Sequence, residues 1–519
     1  MHPGSLPLLA VLTPRRLSHL DYAVIAVYFA LNLGIGWWCS RRKAKVSQDF
    51  FLGGHRVAAW ATAISYFATV TSSISYMALP ASTYTGDWTV FISSPAQAFA
   101  GIAIGFVFVR LLRQLNLTTV FGYIDQRFDR RVRLLGAGLA ILLKVCGRMS
   151  IVMLLPALAL STVTGLNVYA SILLMGSVTT FYALEGGFEA VVWTDVMQSV
   201  VMIGGMVLAI AHLSAHVDGG LAGVIQAGVA AGKFHTFDWG WSLSRPTMWV
   251  FLGMFYASLF TYVADQPMMQ RVFAAPTVRA ARQTAVLGNT IAVTASVLFF
   301  FVGTGIFVFY HFHPDRLSPS LPNDAIFPYY VANELPRGIV GLIIAGLFAA
   351  SMGALSSIIN ATAAIVVSDF QTILAPSASA RSQMRLARLS TLVAGTVATG
   401  MACYVARLGV PSLWEQFLKL VALIGGGFPG VFALGLLSRR ATGTGVIVGA
   451  VASIAVTGWI QAQTSINAFF HGFIAIASCM VVGYAASFFL GRRKSAAELT
   501  GLVVWNLPPP VALATKPLS

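Results

Sequence analysis

Charge is what this chain has least of. Of its 519 residues only 10% are Asp, Glu, Lys or Arg, against about a quarter in ordinary soluble domains. With 57% hydrophobic residues and a mean hydropathy of +0.78, this scarcity excludes a soluble enzyme. Cysteine is sparse as well. Cys39, Cys146, Cys403 and Cys479 stand singly in apolar segments, which excludes a disulfide framework and a zinc spacing. Acidic residues number 17 against 33 basic ones, a formal charge of +16. The basic residues form short clusters between long apolar runs, so the sequence predicts no nucleic-acid surface. No cleavable signal peptide is expected, because the first apolar run is itself long enough to span a bilayer. A nucleophile, base and orienter set at membrane depth is missing too, and the chain is expected not to be an enzyme. His311 and His313 read as part of a solvated outer loop rather than as metal ligands.

What the chain does have is apolar length. A membrane span needs about 20 mostly apolar residues, and thirteen windows qualify: about 22–39, 57–83, 88–109, 134–162, 166–184, 190–214, 246–265, 284–311, 338–368, 389–406, 412–436, 443–460 and 469–490. The first is termed the leading helix and the others spans one to twelve. With the N-terminus outside, 23 of the 33 basic residues fall in inner loops and 7 outside. The positive-inside rule then favours N-terminus out and C-terminus in, which fits an odd number of spans; Arg15 and Arg16 argue weakly the other way. Backbone polar groups inside hydrocarbon must be satisfied within the segment, which for these lengths means helices. The predicted fold is therefore an all-α integral membrane bundle: an extracytoplasmic lead (1–21), one transmembrane domain (22–490) and a cytoplasmic tail (491–519) expected to be loosely ordered after Arg493. Segments 215–245 and 312–337 are too polar to span and are expected to form short outer helices or gating loops.

Three features interrupt the apolar pattern. Positions 68–75 of span one read AlaThrValThrSerSerIleSer, a hydroxyl run that weakens a helix by competing for its carbonyls; the alternative is close helix packing by small residues. Span six ends in Thr261, Tyr262, Asp265, Gln266 and Pro267, and begins 189 residues after span one. Spans three and eight begin 204 residues apart, a similar offset, as two fused five-helix halves would produce. Gly425, Gly426 and Gly427 interrupt span ten and are expected to act as a gating hinge. The Gly101 and Gly105 pair reads as helix packing.

Charges inside a membrane are costly and so are functional candidates. Asp195 is the one acid deep within a predicted span. Arg148 lies mid-span in span three, with Lys144 one turn nearer the cytoplasm. The alternative role for these residues is an internal ion pair between their helices. Lys419 lies two turns inside span ten and could snorkel to the surface.

With these residues in hand, the chain resembles the sodium/solute symporter family over nearly its full length. Four stretches carry the likeness: AspPhePheLeuGlyGlyHisArgVal (49–57), GlyGlyPheGluAlaValValTrpThrAspValMetGln (186–198), GlnArgValPhe (270–273) and AlaAlaSerMetGlyAlaLeuSerSerIleIleAsnAlaThrAla (349–363). Residues 72–89 and GlyArg at 147–148 look most like the bacterial sodium/sialic acid branch. The resemblance implies a five-plus-five inverted-repeat (leucine-transporter-like) core over 57–436, with one leading helix (22–39) and two trailing ones (443–490). It implies a sodium-coupled symporter that imports a small organic solute, such as a carboxylated sugar or another organic anion, by alternating access. Sodium is the co-transported ion, the solute and the lipid bilayer are the partners, and no nucleic acid or obligate protein partner is expected. A bacterial inner membrane fits the composition.

Carried over residue by residue, the family's main sodium site implies the carbonyls of Ala68, Thr71 and Ala350. The two hydroxyls that complete it in the family are replaced here by Gly353 and Ala354, and a hard cation needs an oxygen shell. A second sodium site maps onto Asp195, Ser356 and Ser357. One sodium crossing about 100 mV contributes about 2.3 kcal/mol, or about 40-fold accumulation of a neutral solute, so loss of a site would alter the energetics. Coupling through Asp195 is expected, with a proton at Asp195, or a solute sensor with a degenerate main site, as the alternatives. For the solute the resemblance implies Ser72, Ser75 and Arg148, the last pairing a carboxylate bidentately. Val70 and Ser94 depart from the sialic acid branch, which points to a smaller or less hydroxylated anion, with Gln97 placed to compensate.

Overall fold

The computed structural model describes residues 17–41, 47–317, 321, 325–408 and 425–506. Lys419 and the outer part of span ten lie outside the described residues. By length and composition nine described helices can cross a membrane, ten if the bent pair in span six counts as one. The three further windows expected from the sequence are special cases. Span one is broken in two, and span ten is described only as Gly427–Leu437. Spans four and five run together as Val168–Ala215 (48 residues), a length of about 72 Å where the hydrocarbon is only about 30 Å thick. The join is Gly187, with φ 54° and ψ −144°, a backbone that only glycine adopts readily. A Cβ there would lie 2.7 Å from the Phe50 carbonyl.

The leading helix, His19–Ser40, is N-capped by Ser18 in a capping box with Asp21. Asp21 also accepts the backbone N–H groups of Gly338 (2.7 Å) and Gly341 (2.9 Å), which fastens the leading helix to the N-terminal end of span eight. Span eight, Ile339–Ile365 continued by a wide π turn at Val366–Gln371, is the centre of the bundle. Of its most apolar window 89% is buried inside the protein, whereas the windows of spans nine and eleven are 33% buried and so face lipid. Gly101 and Gly105 let span two approach span seven at Asn289 and Ala285, as helix packing by small residues requires.

Both expected helix breaks are present. Span one consists of Ala59–Val70 and Ser73–Thr85, joined by extended Thr71 (φ −84°, ψ 126°) and Ser72 (φ −118°, ψ 167°). The break coincides with the hydroxyl run. Span six consists of Met248–Ala264 and Gln266–Ala274, bent by 63°, with Asp265 capping the second helix through the Met268 N–H (3.2 Å). Span three holds a π turn, Leu143–Arg148, a feature frequent at functional sites.

The segments expected outside contain Gly220–Ala230 and Ile326–Glu334. Beyond the first of these, Lys233 is buried and its Nζ donates to the carbonyls of Thr83 (3.2 Å), Tyr84 (2.7 Å) and Gly86 (2.7 Å). The lysine thereby caps the C-terminal end of span one, where a cation also complements the helix dipole. The tail departs from expectation: it folds back as far as Asn506. Tyr123 donates to the Leu502 carbonyl (2.9 Å), Trp505 Nε1 to the Leu437 carbonyl (2.8 Å), and Val503 is fully buried.

Candidate functional site

The stretches 49–57, 186–198, 270–273 and 349–363 meet at one place in the bundle. Arg271, in the second helix of span six, is fully buried and donates to Asp195 Oδ2 (3.0 Å), Ser65 Oγ (2.8 Å), Ser357 Oγ (2.6 Å) and the Pro267 carbonyl (2.7 Å). Ser65 donates to the same Asp195 oxygen (2.5 Å), and Thr69 bonds Ser357 (3.1 Å). Gln270, one residue earlier, donates to the Phe51 carbonyl (2.7 Å) and to Asn360 Oδ1 (2.7 Å). Spans one, five, six and eight and the 49–52 segment are thus tied together by two adjacent side chains.

Asp195 keeps one oxygen in reserve. No donor among the described residues reaches Asp195 Oδ1 or Gln198 Oε1, although both atoms are buried. Gln198 lies one turn after Asp195 and is oriented by donating to Asn32 Oδ1 (2.9 Å). Both free oxygens face Gly353, where a Cβ would lie 3.2 Å from Asp195 Oδ1, 3.0 Å from Gln198 Oε1 and 3.6 Å from Ala68 Cβ. A buried carboxylate oxygen and an amide oxygen left without donors are costly unless a cation or water completes them. The two form a hard-oxygen face of the type that sodium takes as ligands. Ser356 and Ser357 belong to the same cluster, both donating to the Gly353 carbonyl (3.1 and 2.7 Å). Ala68 and Thr71 lie at the end of the first half of span one, where carbonyls lose their helical partners. Ala350 is one turn before Gly353 on span eight.

A second charged group joins the π turn of span three to the break of span six. Lys144 pairs with Asp265. Arg148, one turn further on, is half-buried and lies within electrostatic reach of both. It has no hydrogen-bond or ion-pair partner among the described residues. Tyr262 donates to Gln97 Oε1 (3.0 Å), so Gln97 faces the break of span six and has its carbonyl oxygen occupied. Ser72 is buried at the break of span one, and Ser75, Ser94 and Val70 are half-buried.

One alternative reading is not realised, and the bounds of span six need correction. The internal ion pair linking Asp195 to Arg148 or Lys144 does not form: Asp195 pairs with Arg271, and Lys144 with Asp265. Arg271, which lies past the 246–265 window, is inside the bundle, because every residue of Gln266–Ala274 is buried. Span six does not end at Asp265; it bends there and continues. Sequence reasoning missed Arg271, Gln198, Ser65 and Asp265 as site residues. Of the glycines at span ten, Gly427 lies against Ser453, where a Cβ would be 2.2 Å from Oγ, so this one serves close packing. Gly425 and Gly426 precede the helix.

A helical membrane bundle broken at two points, with charged clusters at both breaks, is a transporter of small solutes rather than an enzyme. The sequence pattern of the Sodium:solute symporter family matches residues 50–453, and the chain belongs to that family. It is 34% identical over 469 residues to the sodium/sialic acid symporter NanT of Aliivibrio fischeri, a match covering 90% of this chain and 92% of that protein. It is 28% identical over 461 residues to the human sodium-coupled monocarboxylate transporter 1, covering 86% and 74%. A substrate-bound, outward-open structure of a Na+-coupled sialic acid symporter superposes with a TM-score of 0.86 at 31% identity, covering 92% of this chain and 99% of that one. The fold is accordingly the five-plus-five inverted repeat, and the protein is a multi-pass membrane symporter that couples solute import to sodium.

Proposed function

We propose that the chain imports a small carboxylated solute, with the carboxylate on Arg148 and the coupling sodium on Asp195 Oδ1 and Gln198 Oε1. The observation that carries the solute assignment is Arg148. It is a guanidinium without a carboxylate partner among the described residues, set beside the break of span six, where Asp265 already neutralises Lys144. A planar fork of donors matches a carboxylate bidentately. Sialic acid and monocarboxylates, named for two of the relatives, share that one group. Ser72, Ser75, Ser94, Gln97 and Val70 form the remaining solute contacts. Val70 offers no hydrogen bond and Gln97 is partly engaged by Tyr262, which favours a solute with fewer hydroxyls than sialic acid.

For sodium, Gly353 and Ala354 leave the site formed by Ala68, Thr71 and Ala350 without its two span-eight hydroxyls, so the Asp195 cluster with Ser356 and Ser357 is the stronger site. The arrangement is thirteen spans, N-terminus out and C-terminus in, with Gly425 and Gly426 at the moving part of span ten. The test is solute uptake into proteoliposomes under opposed sodium and pH gradients. Accumulation that follows sodium, and is lost in Arg148→Ala for carboxylated but not neutral solutes, supports the reading. Accumulation that follows the pH gradient assigns coupling to a proton at Asp195 and overturns the sodium part. Unchanged uptake by Arg148→Ala overturns the solute part.

A further inference from the structure

The inner end of span ten and span twelve line a shallow, open trench that plays no part in the transport site. Its volume is about 1080 Å³. The walls include Leu434, Met480, Val481 and Tyr484, and Arg439 and Arg440 stand at the rim. Val481 is 70%, Phe489 87% and Trp505 62% exposed, so nothing in the described chain covers this apolar face.

The two arginines are held in place from behind. Arg127, itself 1% exposed, donates to the carbonyls of Gly435 (3.0 Å), Ser438 (2.6 Å) and Ala441 (3.2 Å). Ser438 Oγ accepts the backbone N–H groups of Arg440 (3.1 Å) and Ala441 (3.0 Å). The turn between spans ten and eleven is therefore fixed at both edges. On it, Arg439 donates to the Trp505 carbonyl (3.2 Å), and the Arg440 guanidinium lies 4.9 Å over the Phe488 ring. Neither has a carboxylate partner among the described residues, so both keep donors for an external anion.

Apolar walls facing hydrocarbon, two guanidiniums at one end and a tryptophan beside them describe the depth at which lipid headgroups meet acyl chains. We propose that this trench binds an anionic glycerophospholipid, its phosphate on Arg439 and Arg440 and an acyl chain along Leu434, Met480 and Tyr484. A free phosphate would use the arginines but not the wall. A lipid bound there ties the inner end of span ten to span twelve and to the folded tail.

The experiment uses the full chain purified in detergent, with bound lipid counted by native mass spectrometry and the melting temperature followed. Phosphatidylglycerol, phosphatidylcholine and inorganic phosphate are the three arms, and none requires the transported solute. Phosphatidylglycerol should bind and raise the melting temperature more than phosphatidylcholine does. Each arginine near an anionic headgroup is worth about five-fold in affinity, so R439Q/R440Q should weaken phosphatidylglycerol binding about 25-fold. The lysine pair R439K/R440K should retain most of it, and R385Q/R388Q, exposed on span nine, should leave it unchanged. Should the double glutamine variant fail to fold, Arg440→Gln alone carries the test, with about a five-fold loss expected. The proposal is overturned if the two lipids bind alike, if R385Q/R388Q costs as much as R439Q/R440Q, or if inorganic phosphate alone stabilises as much as the lipid.

Discussion

Two charged clusters sit at membrane depth, and they are built differently. Around Asp195 and Arg271 both charged side chains are fully buried, and the guanidinium finds four partners on four spans. Around Lys144 and Asp265 the side chains are 16% and 11% exposed, and Arg148 beside them has no partner among the described residues. The first cluster is dry and its charges are paired, so it orders helices, and Asp195 Oδ1 is left as its one free charged oxygen. The second is open and leaves one positive group. A closed cluster with a spare carboxylate oxygen suits a small cation, and an open one with a spare guanidinium suits an organic anion. On the proposed assignment, the two cargoes are separated by charge and by dryness.

The sharpest way to break that contrast is to unbalance the closed cluster. Arg271→Met leaves Asp195 buried without a counter-charge and should cost about 3–5 kcal/mol of stability, measured as a large fall in melting temperature. Adding Asp195→Asn should restore much of the stability but not the sodium dependence of solute binding. If sodium dependence returns as well, the cluster is structural only.

In the open cluster, Arg148→Ala should leave the fold intact. It removes two charge-assisted bonds worth about 1.5–3 kcal/mol each, so carboxylated solutes should bind at least about 100-fold more weakly. Equal affinity in equilibrium binding would remove Arg148 from the site.

Smaller effects should separate scaffold from site. Gly187→Ala forces alanine into a glycine backbone region and should cost about 1–3 kcal/mol, lowering the melting temperature at unchanged sodium affinity. Gly353→Ser brings a hydroxyl beside Asp195 Oδ1 and Gln198 Oε1. If a sodium ion sits there, the added oxygen should lower the sodium concentration for half-maximal stabilisation about five-fold, an effect of about 1 kcal/mol. A raised or unchanged midpoint would place the ion elsewhere.

How far these sites were visible in the sequence depends on their chemistry. The break of span one was legible because Thr69, Thr71, Ser72 and Ser73 interrupt a run that helix packing alone would make apolar. Asp195 stood out as an acid in hydrocarbon. Arg271 did not, since a hydropathy window ends at Asp265 and places residues 266–274 in a loop. The chain instead bends by 63° and returns to the core, and only the family-like stretch GlnArgValPhe (270–273) pointed there. Asp265 was visible at the end of span six but not as a buried partner, so Lys144 was grouped with Arg148 rather than with Asp265. Gln198 is uncharged and leaves little trace in hydropathy. Its signal was the three-residue spacing from Asp195, which puts both side chains on one helix face. The folded tail was missed because its anchors, Leu502 and Trp505, bond through single groups to Tyr123 and Leu437, contacts that no local pattern announces.

The measurement that bears most directly on the separation of cargoes is equilibrium binding of carboxylated solutes to the purified protein, in sodium and with choline in its place, for the wild type and the Asp195→Asn/Arg271→Met pair. The account predicts sodium-dependent binding in the wild type and weaker, sodium-independent binding in the pair. Equal sodium dependence in both proteins would contradict it.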